Sequence, residues 1–422
     1  MAFPQITLEI GFSAGASTST YLHLDDVGRG IIGVAKLAPA EVWTDVTSYL
    51  SSFSVSRGSR RISSPVIRYE SGTGTFTLRN EDRRFDPTYL SGPYVAAGVT
   101  QVTPMRAVRL RATYAGTTYD LWRGFADSWD INYDGPNWSE CVLTCSDAFK
   151  VLAGYDRVAG ASQGAGEDTG ARIGRILDSI GWSATDRVLA VGDSTLQATD
   201  LSGGALDEAF LAADSEIGEL YVDGGGRAVF RNRNAIFNDS RSATSNATFG
   251  DGGGAELPYY ALSISYDDAN LANLANVTRV GGTEQTQSNQ ASRDANLTRT
   301  FDRSDLLLQT DAAANDYAGF IVGLAANPEL RFDQLTVRPQ ASEAALFPHV
   351  LGREIGDRIT VKRRPPGGGT ITRDVYIRGV QHTGTPDFWE TAWALQSATR
   401  HDGFLIIGDA SRGILDQNML GA

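Results

Sequence analysis

Few residues in this chain have types and spacings that could do chemistry, and most of those stand in the wrong local context. Gly28-Arg29-Gly30-Ile31-Ile32-Gly33 spells G-x-G-x-x-G. A dinucleotide site needs a strand before that motif and a full crossover helix after it, since the pyrophosphate rests on the helix N-terminus. Here Pro39 arrives six residues after Gly33 and leaves no room for such a helix. Gly160-Ala161-Ser162-Gln163-Gly164 spells G-x-S-x-G, with His349, His382 and His401 downstream. A nucleophile elbow needs a strand ending at the serine and a helix beginning there. The sequence continues instead through Gly166-Glu167-Asp168-Thr169-Gly170, so Ser162 reads as a loop residue. The histidines, His23 included, have no metal-ligand spacing. Asp267-Asp268 and the pair Asp302 and Asp305 lack a calcium-loop pattern and read as solvated faces or caps. Carboxylate pairs for glycoside cleavage are defined in space, and nothing in the sequence points to one. Cys141 and Cys145 are four apart in an apparent strand, hence about 13 Å from each other. That is too far for a disulfide, and both read as small buried hydrophobes. The expectation is a protein that is not an enzyme, with no cofactor and no metal.

The balance of 37 Lys+Arg against 50 Asp+Glu gives a net charge of −13. That argues against a nucleic-acid binder, which would show a basic face, and against adhesion to an anionic membrane. The doublets Arg60-Arg61, Arg83-Arg84 and Arg363-Arg364 read as surface charge, or as partners of an acidic neighbouring chain. No apolar run approaches a membrane span, and the N-terminus lacks a positive region and an apolar core that would mark it for secretion. Only Lys36, Lys150 and Lys362 are lysine among the basic residues, which suggests a GC-rich source.

The length of 422 residues implies about three domains. Residues 1–148 read as β: Thr73-Gly74-Thr75-Phe76-Thr77-Leu78-Arg79 and Val108-Arg109-Leu110-Arg111-Ala112 alternate with period two. Residues 149–255 read as a small α+β unit. Ile173, Ile176, Leu177 and Ile180 predict a helix stopped by Gly181, and Leu206, Phe210, Ala213 and Ile217 a second, stopped by Gly218. Glu219–Asp223 and Arg227–Arg231 around Gly224-Gly225-Gly226 predict a hairpin. Residues 240–254 read as a polar linker. Strands return over 256–400, with one helix whose N-cap is Asp311, whose stripe is Tyr317, Phe320, Ile321 and Leu324, and which ends before Pro328. Residues 401–422 read as a C-terminal arm. The fold class is mainly β with α+β insertions: two β-barrel-like domains separated by a small α+β domain.

The two β regions resemble each other internally. Residues 106–148 run through an alternating strand, a glycine turn, Arg123-Gly124, a proline loop and Trp138, which leads a further strand. Residues 358–398 run through a strand, Pro365-Pro366-Gly367, Arg378-Gly379, a loop with Pro386 and Trp389, which again leads a strand. Arg123, Gly124 and Trp138 align with Arg378, Gly379 and Trp389 as structural positions of a repeat.

Several motifs follow one another in a telling order: Trp43-Thr44-Asp45-Val46-Thr47-Ser48-Tyr49-Leu50, Phe53-Ser54-Val55-Ser56-Arg57-Gly58, and Gly74 through Pro87. After them come Pro104-Met105-Arg106, Leu121 through Trp129, the hairpin unit, and Asp402 through Asp409. With this order the chain resembles the minor tail proteins of siphophages infecting GC-rich actinobacteria, of the tail-hub (baseplate-hub) type. The resemblance implies a structural virion protein at the distal end of the tail. It implies a homotrimer with two barrels per chain, whose pseudo-sixfold ring adapts the hexameric tube to a threefold tip. The partners implied are a distal tail protein or tail-tube protein above, a tape-measure protein and other tail-tip proteins. DNA would pass only in transit, repelled by acidic lumen residues. Some such hubs carry lytic or receptor-binding extensions; this sequence ends soon after its second β region, so none is expected here. Two other readings are a hexameric distal tail protein or tail-tip adaptor, with one barrel per chain, and a tail-associated cell-wall hydrolase.

Overall fold

Alternation of apolar and polar side chains sets the first strands. In Thr73–Arg79, Gly74, Phe76 and Leu78 are buried while Thr73, Thr75 and Arg79 are exposed, which places one face of the strand on a core. The computed structural model describes residues 3–15, 43–59, 64–96, 98–134, 138–156, 162–200 and 203–398. Its first region holds β1 (Gln5–Gly15), β2 (Trp43–Asp45), β3 (Leu50–Gly58), β4 (Thr73–Arg79), β5 (Arg106–Tyr114), β6 (Thr117–Tyr133) and β7 (Ser139–Ser146). β5, β6 and β7 form an antiparallel triplet; β4 pairs with β7, and β3 with β4. On the other side β1 pairs with β5, and β2 with β1. β2 and β3 are one stretch of chain, interrupted by a 3-10 turn at Thr47–Tyr49. Residues 43–58 therefore bond to β1 at their start and to β4 at their end, and the strand path returns to its own beginning.

The middle region holds α1 (Ala148–Ala153), α2 (Thr169–Ser179), β8 (Arg187–Leu189), α3 (Ala205–Asp214), β9 (Glu219–Val222) and β10 (Ala228–Arg231). Asp147 and Asp168 cap α1 and α2 through their side chains. Ile173, Ile176 and Leu177 are buried, and Gly181 takes φ +72° just beyond α2, as the sequence predicts. α3 ends earlier than predicted. Its left-handed residue is Ile217, at φ +61°, and not Gly218. β9 and β10 form the predicted hairpin, and β8 adds to it in parallel.

The last region holds β11 (Thr248–Phe249), β12 (Ala261–Ser265), β13 (Leu274–Arg279), β14 (Gln285–Ser288), β15 (Thr300–Leu306), α4 (Asp311–Ala325), β16 (Arg331–Val337), α5 (Glu343–Gly352), β17 (Arg358–Arg363), β18 (Ile371–Thr385) and β19 (Phe388–Ser397). β17, β18 and β19 form a second antiparallel triplet, β16 pairs with β19, and β12 with β16. β11 pairs in parallel with β17. Residues 248–265 thus bond to β17 at their start and to β16 at their end. The stretch predicted as a linker contains this short strand, because Thr248–Phe249 needs only two residues to pair. The N-cap of α4 is Thr310, whose hydroxyl accepts from the Ala313 amide; Asp311 is the first helical residue. α5, with Pro348 inside it, was not predicted. β13, β14 and β15 make a separate small sheet under α4, with its own core of Val277, Leu306, Tyr317 and Ile321.

One register joins the two large strand sets. β3 pairs with β18 from Gly58↔Gly379 to Phe53↔Gly384, so 13 strands form a single sheet. The main core runs without a break from Leu8 through Phe210 of the middle region to Leu395. No helix among the described residues is long and apolar enough to cross a membrane.

Gly124 and Gly379 sit close against neighbouring backbone. A Cβ at Gly379 would collide with the carbonyl oxygen of Ser59, and one at Gly124 with that of Ser146. Gly379→Ala and Gly124→Ala are each expected to cost about 1–3 kcal/mol, the usual cost of overpacking. Gly319, inside α4, has open space around its Cβ position. Gly319→Ala is therefore expected to stabilise by about 0.5–1 kcal/mol. Urea unfolding midpoints of the three variants check both signs.

Candidate functional site at the junction of the two strand triplets

Arg123-Gly124 and Arg378-Gly379 lie on β6 and β18, each the middle strand of its triplet. Each arginine reaches a carboxylate of the middle region. The Arg123 guanidinium lies 3.3 Å from Asp186, in the turn that leads into β8. Arg378 is fully buried and pairs with Glu219 of β9. Its Nε–H donates to Gln396 Oε1 at 2.7 Å, and Nη1 lies 3.5 Å from the Tyr69 hydroxyl. Glu219 also faces Arg231 of β10 at 3.5 Å, and Arg231 donates onward to Ser242 at 2.6 Å and Asp239 at 3.2 Å. The tryptophans of the repeat differ. Trp138 is 48% exposed just ahead of β7, whereas Trp389 is fully buried in β19 and donates to Thr391 Oγ1 at 3.1 Å. The structure gathers the two Arg-Gly pairs around one hairpin and leaves Trp138 outside that junction.

The hairpin β9–β10 spans both triplets. Its base is tied to β18 through Glu219 and Arg378. Its tip lies on β6: a Cβ at Gly224 would collide with the Asp120 carbonyl, and one at Gly226 would lie 2.9 Å from the Arg123 side chain. Only a glycine turn lets the tip lie this close. Next to it, the turn before β17 is fixed by Glu354, which takes a two-pronged bond from Arg57 of β3 at 2.6 and 2.9 Å. Asp357 in the same turn takes Arg241 at 2.5 and 2.8 Å. Burial works against the charge on Arg57 and Arg378. Glu354 and Glu219, respectively, outweigh it, so both guanidinium pKa values are raised. Burial also pushes the Tyr69 and Tyr221 phenols up.

A cleft of about 960 Å³ separates the hairpin from β6 and this turn. Asp120, Arg123, Asp186, Asp223, Arg227 and Glu354 are among the residues lining it. Arg123 pairs with Asp186, Arg227 with Asp223 and Arg57 with Glu354. The wall carries charges of both signs, most of them ion-paired. The arrangement is suited to holding three regions at a fixed angle.

A second polar corner attaches the middle region to α4. Glu216 is buried in the turn between α3 and β9, and its Oε2 accepts from the amides of Asp193 at 2.8 Å and Ser194 at 3.0 Å. The adjacent Ser215 hydroxyl accepts from the Leu307 amide at 2.9 Å, and Arg233 sits 5.3 Å from the Phe320 ring centre. Burial pushes the Glu216 carboxyl up to about 7, against the pull of the Ser194 amide. Burial likewise raises Asp147 to about 6, although the Gly72 amide donates to it at 2.6 Å.

The remaining sequence candidates are placed elsewhere. Ser162 is exposed, and α2 begins only at Thr169, so no helix starts at the serine. His382 is buried on β18 against Thr391, at 2.8 Å, and burial lowers it to about 3. His349 lies 3.0 Å from Arg353. Asp267 pairs with Arg331, Asp268 with Arg299 and Asp305 with Arg303, while Asp302 accepts from Asn276. Two of the three arginine doublets pair within the chain: Arg83 with Asp86, Arg84 with Asp82, and Arg363 and Arg364 with Asp251. Cys141 and Cys145 are free and buried on β7. Among the described residues no cluster of three His, Cys, Asp or Glu could hold a metal ion. The G-x-G-x-x-G motif, Arg60-Arg61, His23, His401 and the arm 401–422 lie outside the described residues.

No family model and no curated protein matches the sequence. Solved structures do match. The tail protein from Neisseria meningitidis MC58 superposes with a TM-score of 0.55 at 11% identity, covering 93% of this chain and 96% of that one. The 43 kDa tail protein of prophage MuSo2 from Shewanella oneidensis does so with 0.53 at 10%, covering 93% and 97%. At such identities the likeness is one of fold, and it extends over nearly the whole of each chain.

Glu219 stands between two guanidiniums, so removing its charge leaves the buried Arg378 without a carboxylate and Arg231 with Asp239 alone. Glu219→Gln is expected to cost about 3–5 kcal/mol. Arg378→Met leaves Glu219 with Arg231 and is expected to cost less, about 1–3 kcal/mol. A double-mutant cycle in urea checks the order. The Glu216 pKa, raised from 4.5 to about 7 on folding, also sets a pH dependence. Its stabilisation is full below pH 4.5 and is lost as pH rises through 7. Stability should therefore fall by up to about 3 kcal/mol across that window, and Glu216→Gln should flatten the slope. Melting temperatures at half-unit pH steps test it.

Proposed function

We propose that the chain is a structural subunit of a phage tail: the hub at the distal end of a siphophage tail tube, assembled as a homotrimer. The observation that carries this reading is the matched order of strand pairing. In each half a triplet is flanked, at its third strand, by an earlier strand: β4 at β7, and β16 at β19. In each half a bent segment closes the path against that flanking strand, residues 43–58 in one and 248–265 in the other. The start of that segment is parallel to the first strand of the triplet. β11 lies directly on β17, and β2 reaches the same orientation to β5 through β1. The first half differs by the inserted β1. This order supports two barrel-like domains per chain, with Arg123-Gly124 and Arg378-Gly379 as equivalent positions. The reading divides the chain near 1–148, 149–255 and 256–400, and the pairing of β11 with β17 supports drawing the second boundary ahead of Thr248.

Three copies of two like domains make six similar positions around an axis. That is what a threefold tip needs to meet a sixfold tube. The full-length fold likeness to two tail proteins supports the same reading. The role is structural and not catalytic. Its partners would be a distal tail or tail-tube protein, a tape-measure protein and other tip proteins, at the far end of the tail in the virion. An acidic lumen would let DNA pass without adhering.

Native mass spectrometry of the purified chain tests this. A trimer of about 136 kDa, three times 45.2 kDa, is expected. A hexamer would favour a distal tail ring and would make the matched pairing a coincidence of β-meander architecture. A monomer would move the measurement to the copy number in assembled particles.

A further inference from the structure

We infer that one end of the large sheet is a docking face whose two aromatic tips engage identical subunits of a single oligomeric protein partner. Four of the twelve large apolar side chains exposed among the described residues gather there: Tyr133, Trp138, Tyr260 and Phe388. The registers place them together. Leu50 at the start of β3 lies opposite Leu78, and Leu78 opposite Cys141, close to the tip of the β6–β7 hairpin. Phe53, three residues on, lies opposite Gly384, close to the tip of the β18–β19 hairpin. Both tips therefore leave the sheet at the same end. Only β3 and β4 separate the two hairpins, so the tips are roughly 19 Å apart along the sheet, four strand spacings.

The two tips are built alike. At the first, Tyr133 and Trp138 flank the turn, and the Tyr133 hydroxyl donates to Asp86 at 2.7 Å. Asp86 also holds Arg83, which lies 5.1 Å from the Tyr89 ring centre. At the second, Phe388 borders the turn beside Tyr260, and Arg338 lies 3.4 Å from the Tyr260 ring centre and 2.7 Å from Glu390. Arg83 follows the end of β4 and Arg338 the end of β16, the two flanking strands of the matched sets. Each patch thus holds two exposed aromatic side chains and an ion-paired arginine; Arg338 lies against the exposed Tyr260 ring itself, and Arg83 against the neighbouring Tyr89. Tyr, Trp, Phe and Arg are the side chains that protein interfaces enrich, and the pairing leaves the rims without net charge for a nucleic acid. Two like patches at fixed spacing fit a partner that offers the same receiving surface twice. Ile264 and Tyr266, also exposed, lie toward the opposite end of β12 and belong to neither tip.

This inference rests on the tail reading, and the test separates the two. Photoreactive benzoylphenylalanine is placed at 138, at 388 and, as a control, at 266, in the chain encoded by its native genome, and assembled particles are irradiated. Cross-links from 138 and 388 to one and the same protein, absent at 266, are expected. Cross-links to two different proteins, to another copy of this chain, or to nothing while the chain is in the particles would overturn the docking face and leave the hub reading standing. Absence of the chain from the particles would overturn both. In parallel, the double variant Trp138→Ser with Phe388→Ser should enter particles at least tenfold less than Tyr266→Ser. Melting curves of the purified variants identify any loss caused by misfolding.

Discussion

The fold depends on a carboxylate held between two buried arginines. Glu219 sits between Arg378 of the second triplet and Arg231 of its own hairpin. An ion pair so far from water brings little net stability, because desolvation offsets most of the attraction. Its effect is on alternatives. Any displacement of the hairpin from β18 leaves buried charge without a partner, and that state is strongly disfavoured. The same hairpin reaches β6 at Gly224 and Gly226. One short element therefore sets the relation of both triplets to the middle region. The Arg57–Glu354 pair fixes the turn before β17 to β3 in the same way.

Backbone hydrogen bonding explains the rest of the architecture. Long strands such as β6 and β18 present rows of amides and carbonyls that must be paired or exposed. The chain meets this need by bending. Residues 43–58 and 248–265 each bond to one strand at their start and to another at their end. The β3–β18 pairing then merges both sets into one sheet, and the cost is close backbone contact at Gly379. Separate domains would have needed other covers for the facing edges of β3 and β18. The continuous core from Leu8 to Leu395 follows from that merger.

Much of this was legible from period and punctuation. Alternation located β4 and β5, comparison of the two β regions located β17 and β19, and the spacing of Ile173, Ile176 and Leu177 located α2. Gly224-Gly225-Gly226 between two apolar runs located the hairpin. α5 was missed because Pro348 reads as a break; in the structure it sits on the exposed side of a helix that buries Leu346, Phe347, Val350 and Leu351. β11 was missed because two residues among glycines and polar side chains carry no period. Comparison of the two β regions singled out Arg123 and Arg378, but not their partners. Glu219 and Asp186 are brought to them by tertiary packing. A signal did exist: Glu219 and Arg231 are charged residues in hairpin strands whose other positions are apolar. A surface hairpin would alternate there. Trp138 and Trp389 aligned in sequence but not in environment, because one borders a solvent-exposed turn and the other enters the core.

The use of arginine connects the interior to the surface. Arginine binds a carboxylate with two parallel donors, which lysine cannot do, so its pairs fix geometry as well as charge. In this chain Arg57, Arg83, Arg84, Arg241, Arg331, Arg358 and Arg364 are all engaged with carboxylates of the same chain. Positive charge is thereby committed to internal pairs, while the whole chain keeps its excess of −13. Such a surface offers few free cations to an acidic neighbour. Exposed aromatic groups offer contacts that do not depend on charge. Four of the twelve large apolar side chains exposed among the described residues stand by the turns of two hairpins, where the strand pattern has ended and no core exists to receive them.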